Sequence, residues 1–241
     1  MSTESQPIVI SAQGLKRYYS RGVETVKALD GVDLDIRAGE MVAVLGPSGS
    51  GKTTLINLLS CLDAPTEGTL TVAGKSVTDM NEDQLVEIRR GTLGFVFQKF
   101  HLLPTLTVRE NVELPLLFLE RSVDAAATAE AIEAVGLTGR AGHLPKELSG
   151  GQMQRVAIAR ALIVQPKVLI ADEPTGNLDR MNGAAIFALF QKLVKKGLTV
   201  IVTTHNLALG YLADRVITLE DGRVLKEEAG RAQDHVGGGR A

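Results

Sequence analysis

Gly46, Pro47, Ser48, Gly49, Ser50, Gly51, Lys52, Thr53 and Thr54 follow one another in the spacing G-x-x-x-x-G-K-[ST], that of a phosphate-binding loop. Gly46, Gly49 and Gly51 carry no Cβ, so the backbone can turn with its N–H groups aimed inward at an anion. Lys52 places a mobile cation where outer phosphates would sit, and Thr53 offers a hydroxyl to Mg²⁺. A second stretch, Val168-Leu-Ile-Ala-Asp172-Glu173, ends an apolar run in two carboxylates. At the end of a parallel strand beside a phosphate loop, Asp172 is placed to hold Mg²⁺, and Glu173 to accept a proton from attacking water. Alone, an Asp-Glu pair at a strand end is commonly just solvated; the phosphate loop gives it a chemical reading. A third stretch, Leu148-Ser149-Gly150-Gly151-Gln152, pairs a good N-cap serine with glycines that leave backbone N–H groups open at a helix start. Spacing alone favours an ordinary capped helix there.

These residues need elements to hold them. Residues 41–45 form an apolar run that reads as a buried strand, and residues 54–60 read as a helix opening after the loop, which makes a strand, loop and helix N-terminus around an anion. Upstream, residues 8–15 and 32–36 alternate as strands, and so do residues 69–73, giving a strand-rich, partly antiparallel N-terminal third. Residues 81–89 open a helix and residues 93–97 form a buried strand ending at Gln98. From 100 to 145 the pattern becomes mostly helical, punctuated by Pro104, Pro115 and Pro145, with Gly136 a stop for a helix over 124–135. Beyond it, helices over 149–164 and 182–196 alternate with strands over 168–171 and 198–203, the pattern of a parallel sheet with crossover helices. Asp221-Gly222 between residues 216–219 and 223–225 reads as a hairpin turn. Met1 to Pro7 and residues 227–241 read as flexible tails around a domain over 8–226.

Composition sets outer limits. The 241 residues are 44% hydrophobic and 22% charged, with a formal net charge of −2, ordinary for a globular chain and without the basic footprint of a nucleic-acid binder. The single cysteine, Cys61, excludes an internal disulfide framework and reads as a buried structural thiol. The first residues lack the apolar segment of a signal peptide. No stretch reaches the roughly 20 apolar residues of a membrane span, so any membrane part is expected from another chain.

On its motifs the chain resembles an ABC-type ATPase subunit, the nucleotide-binding component of ATP-binding cassette transporters. Ser149-Gly-Gly-Gln152 with the residues that follow it, to Leu162, matches the family signature just upstream of Asp172-Glu173. Gln98 matches the glutamine loop, Gly176-Asn-Leu-Asp179 the aspartate loop and His205 the switch histidine. Tyr19 stands where the family has an adenine-stacking aromatic, with Tyr18 the other occupant and plain core packing the bland alternative. Asn206 departs from the family, which usually has Asp after the histidine.

The resemblance implies an α/β fold of P-loop ABC type, with a mostly parallel core sheet, an N-terminal antiparallel β-subdomain and a helical subdomain inserted at about residues 99–163. It implies ATP and Mg²⁺, with Thr53, Gln98 and Asp172 toward the metal and Glu173, His205 and Lys52 toward hydrolysis. It further implies a head-to-tail dimer, in which the second copy's Ser149 to Gln152 segment caps the ATP and Asp179 joins the site. Its other implied partner is a membrane permease at the cytoplasmic face of the inner membrane. The subgroup resembled serves lipoprotein release, macrolide export or cell division, carried by residues 94–98, 102–104, 110–112 and 172–179. Export or extraction of an amphiphile is expected; regulation of a membrane complex without transport is the alternative. A soluble ABC ATPase of DNA repair or translation fits less well, because such chains usually carry two cassettes or a long coiled coil.

Overall fold

The computed structural model describes residues 6–22 and 24–231. Its centre is a six-stranded sheet in the order β10-β9-β3-β8-β7-β6. These strands are β3 (Met41–Leu45), β6 (Leu93–Val96), β7 (Val168–Ala171), β8 (Thr199–Thr203), β9 (Arg215–Glu220) and β10 (Arg223–Ala229). Every neighbouring pair from β9 to β6 is parallel, and β10 closes the edge antiparallel to β9 through the hairpin at Asp221-Gly222. The second sheet is antiparallel, in the order β2-β1-β4-β5, with β1 (Ile8–Arg21), β2 (Glu24–Arg37), β4 (Glu67–Val72) and β5 (Lys75–Ser76).

β3, β7 and β8 are buried on both faces, and strand alternation divides their side chains between two cores. Val42, Val44, Val168, Ile170 and Ile201 face the antiparallel sheet, α1 (Lys52–Leu59) and α2 (Glu82–Thr92). Met41, Ala43, Leu169, Ala171, Val200 and Val202 face α6 (Arg180–Val194) and the helical layer of α3 (Val108–Phe118), α4 (Ala125–Ala134) and α5 (Gly150–Leu162). A continuous apolar run is what a strand covered on both sides requires. The expected α/β class, with an antiparallel β-layer and inserted helices, is the observed architecture.

The inserted helices carry strong local signals. Thr107 and Glu110 form a capping box at α3, as Ser149 and Gln152 do at α5 and Asn81 and Gln84 at α2. Pro115 does not punctuate α3 but lies inside it. The helix survives because Val108, Val112 and Leu116 form one buried stripe, so packing outweighs the lost backbone bond. Asn111, fully buried, ties the preceding loop to α3: its Nδ2 donates to the carbonyls of Leu103, Leu106 and Thr107 and its Oδ1 accepts from Leu103 N. One short helix, α7 (Leu207–Gly210), is too brief to leave a periodic signal.

The folded part extends past both expected tail boundaries. Ala38 N donates to Pro7 O at 2.8 Å, which fixes the start of β1. β10 runs to Ala229 rather than stopping at residue 226, because Arg215 pairs with Glu227 at 2.7 Å and Tyr211 Oη donates to Glu228 at 2.8 Å. The rest of the expected tails, residues 1–5 and 232–241, lies outside the described residues.

Cys61 is 1% exposed, and burial pushes its thiol up to about 11. Since the thiolate is the reactive species, an aromatic disulfide reagent at pH 8 should label the folded chain about a hundredfold more slowly than the unfolded one. Rates measured with and without denaturant check this.

Candidate active site

The carboxyl ends of parallel strands all open on one edge of a sheet, and here each end delivers a motif. β3 runs into the phosphate loop, β6 into Gln98, β7 into Asp172 and Glu173, and β8 into His205. Because β8 lies between β3 and β7, the histidine and the carboxylates arrive beside the loop without any long excursion of chain.

A cavity of about 450 Å³ collects them. Ser48, Gly49, Gly51, Lys52, Thr53 and Thr54 line one side, Glu173 and His205 another, and Val26, Lys27 and Ala28 a third. Lys52 is 7% exposed, and its Nζ donates to Gly46 O and Pro47 O, both at 2.8 Å, spanning the loop. Ser50 is buried inside the turn, and its Oγ has no hydrogen-bond partner among the described residues. Glu173 adopts a left-handed backbone at φ 43°, a strain of about 1–2 kcal/mol for a residue with a Cβ. This conformation directs its carboxylate toward His205, Oε2 to Nδ1 being 3.4 Å.

Thr203, wholly buried at the end of β8, couples the two carboxylates. Its Oγ1 donates to Asp172 Oδ1 at 2.6 Å and accepts from Glu173 N at 2.8 Å. Gln98 does not line the cavity. It packs on the turn that follows Glu173, close enough that a Cβ on Gly176 would lie 2.6 Å from its Nε2. Asp172, likewise off the cavity lining, lies beside it at the adjoining strand end, Asp172 N donating to Val96 O at 2.9 Å. Asp179 caps α6, and the Asn182 main-chain N–H followed by the Asn182 side-chain amide holds its carboxyl below the usual range.

Two expected groups stand apart from the cavity. Tyr19 is 37% exposed on β1, opposite Val26 of the cavity wall; its Oη donates to Asp63 at 2.8 Å and the Arg17 guanidinium covers its ring at 4.7 Å. Tyr18 is instead tied to Asp30, whose carboxyl Arg223 and then Tyr18 hold down at about 2. Ser149, Gly150, Gly151 and Gln152 lie at the start of α5, off the cavity lining. Their capping box uses the Ser149 and Gln152 amides and leaves those of Gly150 and Gly151 outside it.

The motif reading missed Val26, Lys27, Ala28 and Thr203, which carry no spacing signal of their own. It also treated Asp221-Gly222 as a turn and nothing more. Gly222 N donates to Ser50 O at 3.0 Å, so this hairpin supports the phosphate loop from behind. A Cβ on Gly51 would lie 2.4 Å from Ala28 O and one on Gly222 2.8 Å from the same oxygen, both at positive φ.

The site fits a phosphate-bearing ligand, since a loop cation and the N-terminus of α1 converge on the cavity. Among the described residues no cluster of His, Cys, Asp or Glu could hold a metal by itself. Thr53 presents its hydroxyl at the cavity wall, whereas Gln98 and Asp172 stand off the lining, Asp172 Oδ1 already accepting from Thr203.

A phosphate loop after a central parallel strand defines the molecule as a nucleoside-triphosphate-binding α/β domain, with an added antiparallel layer and an added helical layer. The family profile described as "ABC transporter" matches residues 29–176. The chain belongs to this family, as an ABC-type ATP-binding cassette. It is 43% identical over 233 residues to the macrolide export ATP-binding/permease protein MacB of Shigella flexneri, covering 96% of this chain and 36% of that protein. Thus the chain spans little more than a third of the exporter's length. It is 44% identical over 224 residues to YvrO, an uncharacterized ABC transporter ATP-binding protein of Bacillus subtilis (strain 168), covering 92% and 98% of the two chains. Among solved structures it is similar to the dimeric post-hydrolysis state of the cassette MJ0796 bound to ADP and Pi, with TM-score 0.82, 43% identity and coverage of 91% and 98%.

Gly222→Ala should press on Ala28 O and displace the Ser50 carbonyl's donor, weakening ATP-analogue binding about tenfold while the fold persists. Titration of a fluorescent nucleotide, with circular dichroism as the fold control, checks it.

Proposed function

We propose that this cassette hydrolyses ATP as a head-to-tail dimer and drives a membrane permease that exports or extracts an amphiphile. The observation that carries this reading is the division of the site. The loop cation, carboxylate and imidazole share one cavity, while the glycine-rich start of α5 lies off it. Two incomplete anion cradles on one chain become complete when two copies pair head to tail around the triphosphate.

In this reading Lys52 leaves the carbonyls of Gly46 and Pro47 and binds the outer phosphates. Tyr19, with Arg17 over one ring face, offers the other to adenine. Thr53, Asp172 and Gln98 are the residues that would hold Mg²⁺, which would supply charge compensation for the phosphates. Glu173 accepts the proton of the attacking water, and His205, 3.4 Å from it, hydrogen-bonds the γ-phosphate. Thr203 keeps Asp172 and the Glu173 backbone in register while this occurs. Gly150 and Gly151 of the second copy present their free amides to the same phosphate. Hydrolysis removes the group that bridges the copies, and the dimer opens.

A groove of about 440 Å³ between the β6 end and α3 supports the permease part of the reading. Phe95, Phe97, Leu114 and Phe118 line it with Arg89 and Arg160. Phe118 is 73% exposed and Leu117 beside it 67%, an apolar face that a short partner helix would cover. It adjoins the Gln98 segment, so a partner seated there is in touch with the site. No helix among the described residues is long and apolar enough to cross a membrane. The proposal places the chain at the cytoplasmic face of the inner membrane, bound to its permease. The relatives named for macrolide export and the subgroup motifs support an amphiphilic substrate.

Glu173→Gln should keep ATP binding, lower turnover by about 10²–10⁴-fold and trap a closed dimer. Parent-like hydrolysis by that variant would remove Glu173 from the role of base. Lys52→Ala should raise the dissociation constant for ATP at least about tenfold, since it deletes the cation facing the outer phosphates. Equilibrium binding and steady-state phosphate release measure both. Co-purification with a six-helix importer permease and a solute-binding protein would overturn the export assignment.

A further inference from the structure

The segment that bears Gln98 is fastened through its main-chain carbonyls. Phe97 O accepts from Gln154 Nε2 at 3.4 Å and Gln98 O from Asn177 Nδ2 at 3.1 Å. Phe100 O and His101 O accept from the Arg160 guanidinium at 2.9 and 2.6 Å. Gln154 and Arg160 belong to α5, the helix that Ser149 caps, and Asn177 to the turn between Glu173 and Asp179. Acceptors of this kind belong to the backbone, so the fastening is independent of the side chains at 97–101.

Gln154 is the anomalous member. It is 0% exposed, and every other buried residue of α5 is glycine or apolar. Its single hydrogen bond is near the outer limit of such contacts, and its Oε1 has no partner among the described residues. Asn111 shows that this fold can satisfy a buried amide fully. A methionine would fill the space of Gln154 without a polar atom to bury. A buried acceptor left unmatched calls for an explanation, and a changed offset between the two elements that Gln154 joins would supply its partner.

We propose that Gln154 is a positioning residue for Gln98, its amide spanning the seam between α5 and segment 97–101 and completing its hydrogen bonds only when α5 shifts on dimer closure. This rests on the ATP-driven dimer proposed above. In the single chain the residue holds Phe97 O by one long bond. On closure Oε1 accepts a main-chain N–H of the Gln98 segment, so the glycine-rich end of α5 and Gln98 reach their working positions together.

The test uses the full chain carrying Glu173→Gln, with Gln154→Met added. Thermal midpoint without nucleotide, affinity for a fluorescent ATP analogue, and ATP-dependent dimerisation by analytical ultracentrifugation are measured. The midpoint should stay or rise, and analogue affinity should stay within about twofold. The ATP concentration for half-dimerisation should rise about five- to tenfold, the loss of one buried hydrogen bond made only in the closed form. Gln154→Leu, equally apolar, should repeat the result. Unchanged dimerisation, or a lowered midpoint with a proportionate loss of every activity, would overturn the proposal. So would failure of both variants to fold, which would make Gln154 structural. If the Glu173→Gln parent itself does not dimerise with ATP, the proposed function fails and this inference with it. If the parent closes and Gln154→Met closes equally, only the inference fails.

Discussion

The phosphate loop is shaped by backbone brought against backbone. Ala28 O meets the Cα positions of both Gly51 and Gly222, and Gly222 N–H holds Ser50 O. No side chain could take part at those points, because the available space is smaller than a methyl group. The loop therefore takes its form from two distant pieces of chain, β2 and the β9–β10 hairpin. These pieces are in turn joined by Asp30, which accepts from Arg223 at 2.7 Å and whose N–H donates to Gly222 O at 2.9 Å. Preorganisation of this kind places the anion-facing amides before any ligand arrives, so binding energy is not spent on ordering the loop.

Strand order then decides what can face the loop. A parallel sheet puts its chemical groups on one edge, and insertion of β8 between β3 and β7 makes Thr203 the bridge between Asp172 and the Glu173 backbone. The left-handed Glu173 depends on this bridge and on the turn sealed by Gly176 N to Glu173 O at 3.0 Å. Strain of about 1–2 kcal/mol persists only where neighbours over-determine the conformation. The carboxylate is thus aimed by the sheet, through its backbone, toward His205.

Legibility in the sequence followed the range of the interaction. The loop, the apolar runs of β3, β7 and β8 and the Ser149 cap of α5 are local in sequence, so spacing and residue type reveal them. Residues matched by motif, such as Gln98 and His205, were found by resemblance and lie at the strand ends where the site forms. Thr203 and Gly222 escaped because each acts on a partner 31 to 172 residues away in the chain, Thr203 on Asp172 and Gly222 on Ser50, and Lys27 escaped because it reaches the cavity wall from the other sheet. Pro115 misled for the opposite reason. Its local rule holds in an isolated helix and yields to the buried Val108, Val112 and Leu116 stripe.

The two buried amides differ in how far apart in the chain their partners lie. Asn111 closes all its bonds within one loop and helix, so nothing is gained by shifting them. Gln154 and Arg160 instead join α5 to the segment over 97–101, by bonds to main-chain carbonyls. Arg160 also borders the groove that Phe97 and Phe118 line, so the same guanidinium touches the apolar face and the Gln98 segment. A load applied at that face has a short, contiguous route to the glycine-rich end of α5, through one helix and its carbonyl partners. Any coupling carried along that route in the proposed dimer is reciprocal: a ligand that fixes the offset of α5 biases the groove by the same free energy with which a partner in the groove biases the offset.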